Sequence, residues 1–167
     1  MLATAMSINA QQRQGPLTVE VAADHQAYVL GDPMRLAVRL RNVGSESVWI
    51  YKELLWGLRG GLVLEITDAS GRKVEPEQLD DDGVVPTTLT NASSFLELPP
   101  DYEWGVVRHD KTRNLFRKPG RYSIRVKYRS PVPRAYFKNG PSWATESGTI
   151  ESAPINVEVK KQARQRL

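Results

Sequence analysis

MRLAVRLRN, residues 34–42, decides the fold class, because its side chains alternate. Met34, Leu36, Val38 and Leu40 fall on one side and Arg35, Arg39 and Arg41 on the other, the two-residue period of a half-buried strand. GRYSIRVKY, residues 120–128, repeats the design far along the chain. There Tyr122, Ile124, Val126 and Tyr128 face one way while Arg121, Arg125 and Lys127 face the other. Turn residues open both segments, Gly31-Asp32-Pro33 the first and Lys118-Pro119-Gly120 the second. Strands that each bury one face need sheets packed against sheets, so the expected fold is an all-β, antiparallel β-sandwich.

Working outward, LTVEVAA (residues 17–23) alternates in the same way, and Val48 to Tyr51 reads as a short strand. Leu62 to Thr67 continues through the turn Asp68-Ala69-Ser70-Gly71 into Arg72 to Val74, a hairpin. Phe95 to Leu98 is stopped by Pro99-Pro100, Tyr102 to His109 is a further strand, and Ile155, Val157 and Val159 alternate in the last. The sum is seven to nine short strands with two long loops, 75–94 and 130–148, and no amphipathic helical period. Three segments follow: 1–16 as a signal remnant or disordered linker, 17–160 as the sandwich, and 161–167 as a basic tail.

A chain of 167 residues with 40% hydrophobic and 25% charged residues is sized for one globular domain. No apolar run reaches the roughly 20 residues of a membrane helix, so no membrane span is expected. The charge of +4, from 23 basic against 19 acidic residues, is weak ground for a nucleic-acid partner, and none is expected. Cysteine is absent, which excludes disulfides, thiolate metal sites and a cysteine nucleophile. MLATAMSINA, followed by polar QQRQG, reads as the end of a secretory signal, although no Lys or Arg precedes it. The expectation is export, to the periplasm, the cell envelope or the medium; the alternative is a disordered N-terminus.

Tyr28-x-Leu30-Gly31-Asp32-Pro33-x-x-Leu36-x-Val38-x-Leu40-x-Asn42-x-Gly44-Ser45-x-x-Val48 resembles the opening of bacterial immunoglobulin-like domains. Adhesion-type surface modules and the intracellular proteinase inhibitors of bacteria share this style. Pro119-Gly120-x-Tyr122-x-Ile124-x-Val126-x-Tyr128 looks like their penultimate strand. The resemblance implies an immunoglobulin-like sandwich with a tyrosine corner at Tyr122, and of roles it suggests proteinase inhibition.

Catalytic candidates are few. His25 and His109 adjoin Asp24 and Asp110, but neighbours on a strand point to opposite faces and do not form a working pair. Gly140-Pro141-Ser142-Trp143-Ala144 mimics a nucleophile elbow without the strand and helix that such a turn requires, so Ser142 reads as a loop residue. Asp80, Asp81 and Asp82 lack the alternating spacing of a calcium loop and read as a solvated acidic run, and Asn91-Ala92-Ser93 meets the glycosylation pattern in three residues only. No enzyme, no metal and no cofactor is expected.

Binding candidates are richer. In immunoglobulin-like order Gly120 to Tyr128 neighbours Val48 to Tyr51, so that Trp49 and Tyr51 would share an outer face with Arg125 and Lys127. The competing reading has Glu158 neutralising the arginines and Trp49 buried as the strand tryptophan of such sandwiches. Within the second loop Arg134, Tyr136, Phe137, Lys138 and Trp143 supply interface anchors, or else a lid folded onto the core. The tail cations Lys160, Lys161, Arg164 and Arg166 read as solvated. Another protein is the first expected partner. Carbohydrate is the second, with Trp49, Trp56 and Trp104 as stacking platforms, and proteinase inhibition is a third reading.

Overall fold

The computed structural model describes residues 15–57, 59–76 and 92–161. Through these run twelve strands: β1 Leu17–Ala23, β2 Ala27–Val29, β3 Pro33–Asn42, β4 Val48–Tyr51, β5 Leu55–Trp56, β6 Gly61–Asp68, β7 Lys73–Val74, β8 Phe95–Leu98, β9 Glu103–Lys111, β10 Gly120–Tyr128, β11 Ile150–Glu151 and β12 Ile155–Lys160. One helical turn, α1 Thr112–Leu115, follows β9. The protein is all-β. One sheet has the order β1-β3-β9; a larger one has β2-β12-β10-β6-β5, with β11 beside β10 and β7 beside β6; β4 and β8 form a third. Pairing is antiparallel, except that β2 runs along β12 and β5 along β6 in parallel.

Alternation dictates this packing. β3 buries Met34, Leu36, Val38 and Leu40, and its register with β1 sets Val19 opposite Leu40 and Val21 opposite Val38. β10 buries Tyr122, Ile124, Val126 and Tyr128, with Ile124 beside Ile66 and Val126 beside Leu64 of β6. These side chains meet in one core drawn from both larger sheets, where each fully buried aliphatic contributes about 1.5–3 kcal/mol. A slip of one residue would turn the arginine rows inward, so register is strongly fixed.

Local chemistry sets the turns. The Tyr122 hydroxyl donates to the Lys118 carbonyl at 2.7 Å, four residues upstream, pinning the turn that launches β10. Its ring packs on buried Phe116, with centroids 4.6 Å apart. In the β6–β7 hairpin the Ser70 hydroxyl and the N–H groups of Ser70 and Arg72 all donate to one oxygen of Asp68. The Ser70 hydroxyl foremost holds the Asp68 carboxyl down at about 2, and Gly71 supplies the positive φ of +80°.

Two expectations need correction. β10 is flanked by β6, not by Val48–Tyr51, which pairs with β8. The reason is length and pattern: β6 makes seven register pairs with β10, whereas β4 has four residues and buries Val48, Ile50 and Tyr51 in its own setting. Second, the strand segments outnumber the seven to nine expected because breaks divide them. β11 and β12 are one path interrupted at Ser152, whose N–H donates to the Val126 carbonyl while its hydroxyl accepts from the Val126 N–H. The signal-like residues 1–14, the run Asp80–Asp82, Asn91 and the tail beyond Lys161 lie outside the described residues.

Candidate functional site

The arginine and lysine row of β10 is neutralised by its neighbours. Lys127 Nζ lies 2.9 Å from Glu65 and 3.2 Å from Glu151, Arg125 lies 3.2 Å from Glu151, and Lys73 lies 3.6 Å from Glu65. The hydrogen bond from Lys127 holds the Glu65 carboxyl below its ordinary range, and Glu65 and then Glu151 hold the Lys127 ammonium above its own. Glu158 stands opposite Arg121, four residues along β10 from Arg125. Trp49 does not share this face. It is half-buried on β4, where its N–H donates to the Pro141 carbonyl and its carbonyl accepts from the Trp143 N–H. Tyr51 is buried, and burial first, then its bond to Glu53, pushes its hydroxyl up to about 12.

In the second loop the five candidates part company. Trp143 is 4% exposed and belongs to the core, which removes it as a surface anchor. The reason is strand-like pairing with Trp49, which carries residues 141–143 inward. Phe137 is half-buried on Phe95, with centroids 4.7 Å apart. Tyr136, Arg134 and Lys138 remain exposed. The loop is braced internally: Glu146 accepts from the Arg134 N–H, Thr145 Oγ1 donates to the Ser130 carbonyl, and Arg129 Nε donates to the Thr145 carbonyl.

The three tryptophans proposed as a sugar platform differ in exposure, Trp49 half-buried, Trp56 buried and Trp104 exposed. Trp56 is 3% exposed, with the Arg108 guanidinium 5.4 Å from its ring centroid. Arg108 Nε also donates to Asp110 at 3.2 Å, and Asp110 accepts from the Lys111 N–H and from Asn114 Nδ2. His109 points the other way, to solvent. Asp24 and His25 behave differently from the expectation: they sit in a turn, not on a strand, and His25 Nδ1 comes within 3.4 Å of the carboxylate. That carboxylate already accepts from the Tyr28 hydroxyl and the Arg35 N–H, so its role is to brace β2 against β3.

Exposed apolar surface gathers elsewhere, on β9. Among the described residues the large exposed hydrophobics are Tyr102 at 65%, Val107 at 52%, Trp104 at 39% and Tyr136, and three of the four lie on β9 or just before it. β9 pairs with β3 on one side and with no described strand on the other. Its register divides its residues: Trp104, Val106, Arg108 and Asp110 stand opposite the core-facing side chains of β3. Glu103, Gly105, Val107, His109 and Lys111 stand opposite Arg41, Arg39, Ala37, Arg35 and Pro33 on the outer face. The Trp104 indole is fixed by donating to the Lys52 carbonyl at 2.7 Å. Edges are ordinarily blunted by charge or proline, yet the centre of β9 is Gly105-Val106-Val107.

Gly105 is required by close backbone approach, since a Cβ there would run into the Val38 carbonyl oxygen. Gly105→Ala should therefore lower stability by about 1–3 kcal/mol in urea unfolding and speed amide exchange along β9. Unchanged exchange there would show that the strand accommodates the methyl group. The sequence reading passed over Tyr102 and Val107. The available signal was that EWGVVRHDK lacks the strict alternation of β3 and β10, as an edge strand with two partly exposed faces would.

No family model and no curated protein matches this sequence. Among solved structures, a β-glucosidase from Erythrobacter marinus is 13% identical over 86% of this chain, with a TM-score of 0.41; this chain spans 15% of that one. A CARDB domain from Pyrococcus furiosus, solved with di-metal ions, is 11% identical over 86% of this chain and 91% of its own, with a TM-score of 0.39. The sporulation control protein of Bacillus subtilis is 10% identical over 87% of this chain and 50% of its own, with a TM-score of 0.42. Likeness at this level carries no argument about activity.

What the geometry of β9 offers chemically is recognition. An open strand edge presents backbone donors and acceptors at fixed spacing, and its alternating side chains select what pairs with it.

Proposed function

We propose that this chain is an immunoglobulin-like β-sandwich acting without catalysis, as a protein-interaction module whose contact is the open edge of β9. The observation that carries the reading is the coincidence of exposed Tyr102, Trp104 and Val107 with a strand edge that no described strand covers. Core-sharing sheets ordered β1-β3-β9 and β2-β12-β10-β6, with the Tyr122 hydroxyl bound back to Lys118, support the immunoglobulin-like assignment. A protein partner is favoured over carbohydrate because Trp56 lies under Arg108 and is closed to stacking. The cell envelope is the proposed location, on the strength of the apolar residues 1–10.

Affinity capture from source-cell extract, with the full chain and its Val107→Lys variant side by side, tests the interaction reading. A protein retained by the wild type and lost by the variant supports it. Equal retention by both would move the contact off β9, and retention of nothing by either would count against a protein partner.

A further inference from the structure

We infer that β9 pairs antiparallel with β9 of a second copy of this chain, forming a two-fold dimer in which the three-stranded sheets join into one. This deepens the interaction reading above and rests on it. The argument is the self-complementarity of the strand. Antiparallel pairing about a two-fold axis sets residue i opposite a residue j such that i and j are equidistant from the centre. Val107 is the midpoint of Glu103–Lys111, so centring on it overlaps the whole strand.

In that register the outer-face residues meet in matched pairs. Glu103 faces Lys111 of the second copy, and by symmetry Lys111 faces Glu103, which gives two opposite-charge pairs at the ends of the ladder. His109 faces Gly105, where there is no side chain to oppose the imidazole. Val107 faces Val107 at the axis, covering the most exposed apolar side chain within the strand. On the inner face Val106 meets the aliphatic stem of Arg108. Glu103 already lies 3.5 Å from Arg39, and a carboxylate has the acceptor capacity for a second cation. Centring on any other residue breaks both Glu103–Lys111 pairs and leaves strand ends unpaired. Gly105 serves the same geometry by drawing β9 close against β3, leaving its outer edge to the second copy.

Sedimentation of the purified full chain over a concentration series tests this. The wild type should dimerise. Val107→Lys, which places two ammonium groups at the axis, should weaken the dimer at least about tenfold, as should Lys111→Glu, which sets carboxylate against carboxylate. Combining Glu103→Lys with Lys111→Glu restores opposite charges and should restore the dimer to within a few fold of wild type. Melting temperatures of all variants report that the fold is intact, and the charge-swapped double variant keeps the test valid if one single variant misfolds. A wild type that stays monomeric throughout overturns the inference, and so does a dimer indifferent to Val107→Lys. A monomer that still captures a different protein through β9 would remove the self-pairing while leaving the interaction reading intact.

Discussion

Trp143→Ala should lower the unfolding free energy by about 3–5 kcal/mol, the cost of emptying a large aromatic site that its surroundings cannot refill. Against a total of about 5–15 kcal/mol for a domain of ordinary stability, that is a large fraction. At about 2–4 °C per kcal/mol for a chain of this size, the melting temperature should fall by roughly 6–20 °C. The site is closed from two sides. Its backbone N–H donates to the Trp49 carbonyl at 2.9 Å, and its ring lies so close to Gly15 that a Cβ there would come within 2.7 Å of Cζ3. The contrast is Tyr136→Ala, an exposed substitution that should stay within about 0.5 kcal/mol. Were Trp143 a recognition anchor, its loss would spare the melting temperature; a variant melting like the wild type would therefore reverse the reading.

Asn42→Ala should be equally damaging, for a different reason. Asn42 is fully buried at the end of β3, and its Nδ2 donates to the carbonyls of Glu46 at 2.7 Å and Leu98 at 2.8 Å while its Oδ1 accepts from the Gly44 N–H. Alanine would leave two acceptors and one donor without partners in a site shielded from bulk water. Each such loss costs about 1–3 kcal/mol, less for the partly exposed groups, so the sum is about 3–5 kcal/mol. Urea unfolding should show a lower midpoint at an unchanged slope. Asn42→Asp tells the cause apart, because it keeps the acceptor facing Gly44 and loses both donations; an aspartate variant as stable as wild type would mean that those carbonyls need no donor. The backbone of Asn42 also pairs with Asp101 and Tyr102, so the entry to β9 should loosen in both variants.

These two residues mark how far the sequence was legible. Alternation in residues 34–42 and 120–128 is a local property, and it named β3, β10 and the buried side of each correctly. Asn42 was visible only as one position of the immunoglobulin-like opening, since its clamp depends on Leu98, which the fold brings in from 56 positions away. Trp143 read as an interface anchor or as part of a lid on the core, with proline and glycine around it; nothing local shows that Trp49 and Gly15 will close over it. The misplaced neighbour of β10 has the same origin, for pairing order is decided by which long apolar strand covers most core, and β6 outcompetes the four residues of β4. The candidate site was the least legible part. Arg125 and Lys127 stood out by their charge, yet charge on a strand says nothing of the glutamates across from it. β9 was quiet in sequence because edge strands need no strong pattern, and the opposite charges at its two ends acquire meaning only once its outer edge is seen to carry no described strand.

The parallel pairing of β2 with β12 bears on how the molecule would respond to a mechanical load. The chain enters β2 at Ala27 beside Glu158 and both strands run toward Val29 and Lys160. Once β1 has been drawn off β3, a stretching force applied between the two ends of the described chain would pull β2 backward and β12 forward along a common line. The interstrand bonds would then be strained in shear, all at once, instead of being peeled open singly from one end, and the short seam would act as a tension-bearing latch between β2 and the last strand.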